Sequence, residues 1–155
     1  MLRYLIDSTA VWRLQRDREL NEAWSHEVDE GNVGSCRPQR TEFRRSARNL
    51  DEYEAMTDMF ADLYPHVAVP ESAWQWIGTA QYRLAQRSRH QSLSVVDWIV
   101  CATASHHGLV ILHDDKDFAA AAALLPDVQE HNVHRTARGG QSAYLASTLA
   151  SSASR

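Results

Sequence analysis

A chain of 155 residues, 44% hydrophobic and 23% charged, is long enough to bury a single core without disulfide or metal staples. Its net charge of −4 excludes a simple electrostatic nucleic-acid binder but not an enzyme that meets phosphates through cations. No apolar run approaches the roughly 20 residues that span a bilayer, and the N-terminus lacks a signal peptide's apolar stretch and cleavage site. The expectation is therefore a soluble, cytoplasmic protein with no membrane partner. Cys36 and Cys101 are far apart and show no CxxC spacing; Cys101 lies in an apolar run and reads as a small core residue.

Taken in chain order, residues 2–6 read as a short strand that ends at Asp7. Ser8 or Thr9 caps a following helix with Ala10, Val11 and Leu14 on its apolar side. Residues 19–28 suggest a second helix and 32–36 a brief strand. Pro38 suits a helix's first turn, after which Phe43, Ala47 and Leu50 recur at helical spacing. Tyr53, Met56, Phe60 and Leu63 form a stripe ended by Pro65, and 66–69 is a candidate strand. Pro70-Glu71-Ser72 opens a helix with Ala73, Ile77, Ala80 and Leu84 on one face; the flanking Trp74 and Trp76 read as packing residues.

After a linker at 91–93, Ser94 opens a strongly apolar helix that runs to about His106 and stops at Gly108. Residues 109–112 form an apolar strand, 119–125 a helix stopped by Pro126, and 128–133 a last strand. Strands alternating with helices, with apolar strands buried on both faces, predict a central, mostly parallel sheet in an α/β fold. From about Thr136 the chain turns rich in Gly, Ser and Ala. This divides it into a domain over 1–135 and a Gly/Ser/Ala-rich C-terminal tail over 136–155 that reads as mobile.

Chemistry concentrates in the acids. Asp7 and Asp115 follow strands, where open parallel sheets keep their ligands. Asp97 lies in the first turn of the Ser94 helix, and Glu42 borders the buried face of its own helix. Each has an ordinary reading beside the functional one. Asp7 can cap a helix, and Asp97 can close a capping box with Ser94. Glu42 can pair with Arg45, and Asp115 can end a strand beside Asp114 and Asp117. His113 reads as a strand-end residue.

If the four acids converge, pairs about 4 Å apart repel by roughly 4 kcal/mol at an effective dielectric near 20. Protons or cations must then occupy the cluster. An all-oxygen site selects Mg²⁺ or Mn²⁺ over zinc. No HExxH motif, Cys/His ligand pairing or Walker glycine loop is present. Phosphodiester hydrolysis follows naturally, although phosphomonoester hydrolysis needs similar parts and the pattern alone leaves the two close. Arg37, Arg40, Arg44, Arg45 and Arg48 surround Glu42 in sequence; they read either as a solvated helix face or as a phosphate-tracking surface.

Several segments, in this order, resemble one family. They are Leu5-Ile6-Asp7-Ser8-Thr9-Ala10, Thr41-Glu42-Phe43, Leu93-Ser94-Val95-Val96-Asp97, and the run from Gly108 through His113-Asp114-Asp115-Lys116-Asp117 to Phe118. Together they resemble PIN-domain ribonucleases of the VapC toxin type over about residues 1–133. The resemblance implies a three-layer α/β/α fold and a Mg²⁺- or Mn²⁺-dependent endoribonuclease acting on RNA, the toxin of a type II toxin–antitoxin system. It implies a homodimer and a cognate VapB-type antitoxin. It assigns Asp7, Glu42, Asp97 and Asp115 as the acidic, metal-binding quartet, with Asp117 as a fifth acid and Ser8 or Thr9 supporting the first. The alternatives are a PIN module that binds RNA or a partner without catalysis, and a metal-dependent phosphatase.

Overall fold

The structure, a computed structural model, describes residues 1–135; the expected tail over 136–155 lies outside the described residues. Four strands, β1 (Tyr4–Ile6), β2 (Val33–Gly34), β3 (Val110–His113) and β4 (Gln129–Asn132), form one sheet in the order β2-β1-β3-β4. Every pairing is parallel, with Tyr4 opposite Val110 and Ile6 opposite Leu112 at the centre. Among the described residues lie the helices α1 (Ser8–Arg16), α2 (Arg18–Asp29), α3 (Arg37–Arg44), α4 (Leu50–Leu63), α5 (Ala73–Ala85), α6 (Val95–His107) and α7 (Lys116–Ala122), and residues 133–135 are helical as well.

The period-2 alternation of the two central strands builds three layers. Leu5 and Ile111 point to one face, where they pack with Ala73, Ile77, Val100, Cys101 and Phe118 of α5, α6 and α7. Ile6 and Leu112 point to the other, against Val11, Leu14, Trp24, Phe43 and Phe60 of α1 to α4. The expected α/β/α sandwich is thus present, and Cys101 is a core residue. The helix stop at Gly108 also matches, since that residue takes the left-handed conformation at φ 65°. Among the described residues, no helix is long and apolar enough to cross a membrane.

Four details differ from the expectation. Phe43, Ala47 and Leu50 do not share a helix: α3 ends at Arg44, and Asn49 opens α4 by accepting the Glu52 N–H at 2.9 Å. Leu50 is consequently exposed. Residues 66–69 supply only one bridge, Ser35 to His66, rather than a strand. In the Tyr53–Leu63 stripe, Phe60 is buried while Tyr53 and Leu63 remain exposed. Finally, β4 is a polar edge strand, Gln-Glu-His-Asn, held by its backbone pairing to β3.

The β2 edge is tightly packed at Gly34. A Cβ there would stand 2.5 Å from Val67 Cγ2, 2.9 Å from Leu2 Cδ2 and 3.0 Å from the Pro65 carbonyl oxygen. The Pro65 backbone also accepts the Ser35 N–H, so it cannot yield freely. Gly34→Ala is expected to destabilise the fold by about 1–3 kcal/mol through overpacking. This should appear as a lower urea midpoint with an unchanged slope.

Candidate active site

The parallel register brings the carboxyl ends of β1 and β3 side by side, so Asp7 and the 113–117 segment emerge at the same edge of the sheet. Asp7 caps α1. One of its oxygens accepts the Thr9 N–H at 3.1 Å and also the Thr9 hydroxyl proton. It is only 3% exposed. Burial pushes its carboxyl above the ordinary range, the Thr9 hydroxyl bond opposes this, and the Asp97 charge adds to the rise.

Asp97 sits at the third position of α6 and closes the expected capping box. Its carboxylate accepts the Ser94 N–H at 3.0 Å while Ser94 Oγ accepts the Asp97 N–H at 3.1 Å. Burial raises its carboxyl too; the Ser94 bonds oppose, and the charges of Asp115 and Asp117 push further upward. Glu42, on α3, is raised by burial and then by Asp97 and Asp7, with Arg45 a weaker opposing influence. The expected Glu42–Arg45 ion pair does not form among the described residues. Instead, Glu42 Oε2 is buried with no hydrogen-bond partner. Asp115 caps α7 through the Asp117 N–H at 2.9 Å.

Four acids from four separate elements therefore influence one another in one region, and the capping roles of three of them hold simultaneously with that convergence. Asp114 does not join them. Its carboxylate pairs with Arg13 at 2.8 Å and His134 at 3.2 Å.

The two hydroxyls beside Asp7 divide their work. Thr9 is the one that bonds its carboxylate, and Thr9 Oγ1 also accepts the Asp114 N–H at 2.9 Å. Ser8 Oγ accepts from the fully buried Gln39 amide at 3.1 Å. Gln39 was not legible as a site neighbour; its one signal is a position three residues before Glu42 on the same helix. His113 does end a strand as expected, but it is buried and its ring engages Asp115.

Between the starts of α3 and α6 lies a cleft of about 660 Å³. Arg37, Pro38, Arg45, Val95 and Val96 line it, and Glu42 connects it to the acids. The five arginines separate accordingly. Arg40 is held by Ser35 Oγ and the Tyr64 carbonyl, both at 2.7 Å. Arg44 lies over the Tyr53 ring and near Thr57, and Arg48 pairs with Glu52. Arg37 and Arg45 face the cleft; the other three are occupied in the fold.

The donor set is carboxylate oxygen throughout, which suits a hard divalent cation. The buried, partnerless Glu42 oxygen is what such an ion or its hydration shell would satisfy. Among the described residues, no three acidic, His or Cys side chains are already arranged to hold a metal ion. Gripping one requires these carboxylates to turn toward a common point.

The family model for the PIN domain matches residues 4–124. Ribonuclease VapC6 of Mycobacterium tuberculosis (strain ATCC 25618 / H37Rv) is 54% identical over 101 residues, covering 65% of this chain and 80% of that protein. Ribonuclease VapC2 of Mycobacterium tuberculosis (strain CDC 1551 / Oshkosh) is 32% identical, covering 86% of this chain and 94% of that protein. Among solved structures, VapBC-1 from nontypeable Haemophilus influenzae superimposes with a TM-score of 0.69 at 12% identity, over 86% of this chain and 100% of the matched one. VapBC-5 from Mycobacterium tuberculosis does so with a TM-score of 0.61 at 18% identity, over 85% and 99%. At these identities the two structures share the fold.

Proposed function

The chain belongs to the PIN domain family, among relatives named as VapC ribonucleases, and from that premise we propose that it is a divalent-metal-dependent endoribonuclease, the toxin of a type II toxin–antitoxin pair. The observation that carries this reading is the convergence of Asp7, Glu42, Asp97 and Asp115 beside the carboxyl ends of β1 and β3, with a Glu42 oxygen buried and unpartnered; burial first, and neighbouring acids second, hold the Asp7, Glu42 and Asp97 carboxyls above their ordinary range. A protein gains nothing in stability from gathering such charges, and a bound cation reverses the penalty. Mg²⁺ or Mn²⁺ would be held by Asp7, Asp97 and Asp115, with Glu42 joining directly or through water. When bound, such an ion supplies Lewis acidity: it neutralises phosphate charge and eases deprotonation of the attacking water.

The chain's own residues do the rest. Thr9 fixes the rotamer of Asp7 while leaving it facing the cluster. Glu42 borders both the acids and the cleft, and a turn of its carboxylate would bring its buried, unpartnered oxygen to the attacking water. Arg37 and Arg45 hold phosphates flanking the scissile bond, and Pro38, Val95 and Val96 offer an apolar surface to an unstacked base. Water attacks phosphorus, the bond from phosphorus to the 3′ oxygen breaks, and that oxygen takes up a proton. The products carry 5′-phosphate and 3′-hydroxyl ends. Residues 1–135 form the catalytic domain in this reading. A VapB-type antitoxin covering the cleft, a homodimeric toxin and a cytoplasmic location complete the proposal.

The test is incubation of total cellular RNA with the purified chain, with and without Mn²⁺, followed by mapping of cut ends, with Asp97→Asn alongside. Cleavage only with Mn²⁺, and only by the wild type, is expected. RNA retention in EDTA without metal-stimulated cleavage would replace the enzyme with a binding module, and faster turnover of a small phosphomonoester would make it a phosphatase. Arg45→Ala should raise KM for RNA by about tenfold, equivalent to about 1.4 kcal/mol, with a smaller effect on kcat. Arg48→Ala, at a residue that pairs with Glu52 and does not line the cleft, should do neither.

A further inference from the structure

The 113–115 segment carries an arrangement that the acidic cluster does not account for. The His113 ring is 1% exposed and packs near Phe118, with ring centroids 5.4 Å apart. Its Nδ1 accepts the backbone N–H of Asp115 at 3.0 Å. A nitrogen that accepts from an amide carries no proton, so in the neutral ring the hydrogen sits on Nε2. Nε2 lies 2.6 Å from Glu130 Oε2, a short distance of the kind seen when a carboxylate accepts. Glu130, on the edge strand β4, thus selects the tautomer whose other nitrogen is free to receive Asp115. The preceding amide, that of Asp114, is taken by Thr9 Oγ1 at 2.9 Å. Two consecutive N–H groups are thereby pinned by side chains from different elements, which fixes the direction in which Asp115 leaves the sheet.

We propose that Glu130 and His113 form a positioning relay that orients Asp115, with His113 acting on the site through the Asp115 backbone. The inference rests on the reading of Asp115 as a ligand for a divalent ion. Such outer partners fix ligand geometry, and losing one typically weakens metal binding by 10- to 100-fold. An aliphatic residue would fill the same hole but leave the Asp115 N–H without its acceptor. Asparagine places a carbonyl oxygen close to where Nδ1 stands, so it should restore the bond.

The experiment measures Mn²⁺ affinity by electron paramagnetic resonance on the full chain, together with the Asp115 amide proton shift in the metal-free protein. Wild type, His113→Leu, His113→Asn and Glu130→Leu are compared at a temperature where each is folded. His113→Leu is expected to weaken Mn²⁺ binding by about tenfold or more and to move the Asp115 amide signal upfield. His113→Asn should recover affinity to within about threefold of wild type, and Glu130→Leu should fall between. If His113→Leu does not fold, the Asn and Glu130→Leu variants decide: a Glu130→Leu protein with wild-type affinity and an unmoved amide signal overturns the relay. So does a folded His113→Leu that binds Mn²⁺ as the wild type does. A wild-type chain that binds no Mn²⁺ while its Asp115 amide signal still answers to His113→Leu overturns the functional reading and leaves the hydrogen bond as packing alone.

Discussion

Replacing Asp7 by asparagine should sharply reduce RNA cleavage and, in EDTA, leave a protein that melts higher than the wild type. The two effects come from the same carboxylate. Asparagine keeps an oxygen that can accept the Thr9 N–H and hydroxyl, so the cap on α1 survives. What disappears is a buried negative charge that feels Asp97. Burial raises the Asp7 carboxyl in the folded chain, so its contribution to stability is fully present below the unfolded pKa and is lost as pH rises through the folded one. At pH 7.5 the wild type bears that loss and the variant does not. A rise in Tm of roughly 2–4 °C, corresponding to about 1 kcal/mol in a domain of this size, is expected. The difference should shrink as pH is lowered, because protonation of the wild-type carboxyl removes the same buried charge. Cleavage should fall by about 10²- to 10³-fold in kcat, the scale of losing a principal electrostatic contact. A Tm lower by several degrees would make Asp7 a helix cap first and foremost, and full activity in the purified variant would remove it from the site.

The parts of the molecule that follow local rules were legible in the sequence. Ser94 and Asp97 announced a capping box, Gly108 a left-handed stop, and Ala73, Ile77, Ala80 and Leu84 a buried helix face. The acids could be named for a related reason: Asp7 and Asp115 follow strands, Asp97 opens a helix, Glu42 borders a buried helix face, and their order along the chain is distinctive. What sequence could not show depends on partners brought from elsewhere. The break between α3 and α4 turns on Asn49 capping a new helix, which outweighs the helical spacing of Phe43, Ala47 and Leu50. The run of arginines was visible, but only the fold reveals that Arg40 holds the Tyr64 carbonyl while Arg37 and Arg45 look into the cleft. Gln39 and His113 are buried polar residues whose roles are defined wholly by what they touch, Ser8 in one case and Asp115 with Glu130 in the other. The strand β4 has no apolar alternation because its side chains need not build a core; its backbone pairs with β3 regardless.

Mn²⁺ should stabilise the wild-type protein strongly, and its effect should depend steeply on pH. An ion that binds only the folded chain adds about 2.7 kcal/mol at a hundredfold excess over its dissociation constant. For a domain of this size that is a Tm increase of roughly 8 °C. Protons compete for the same oxygens. Because burial and mutual repulsion hold the Asp7, Glu42 and Asp97 carboxyls above their ordinary range, that competition begins at a higher pH than for an exposed acid. The metal-induced increase should therefore shrink as pH is lowered, and sooner than for an exposed acid. As these carboxyls take up protons, the metal-free protein is relieved of its buried charges and gains stability. The two melting curves converge from opposite directions, a pattern that a single surface carboxylate would not produce. Asp97→Asn should lose most of the Mn²⁺-dependent increase at pH 7.5 while retaining the Ser94 cap through its amide oxygen. Thermal melts across pH, with EDTA and with Mn²⁺, measure both limbs. Equal Mn²⁺ shifts in wild type and Asp97→Asn would place the ion elsewhere, because the penalty of gathering these acids and the gain on neutralising them must reside in the same side chains.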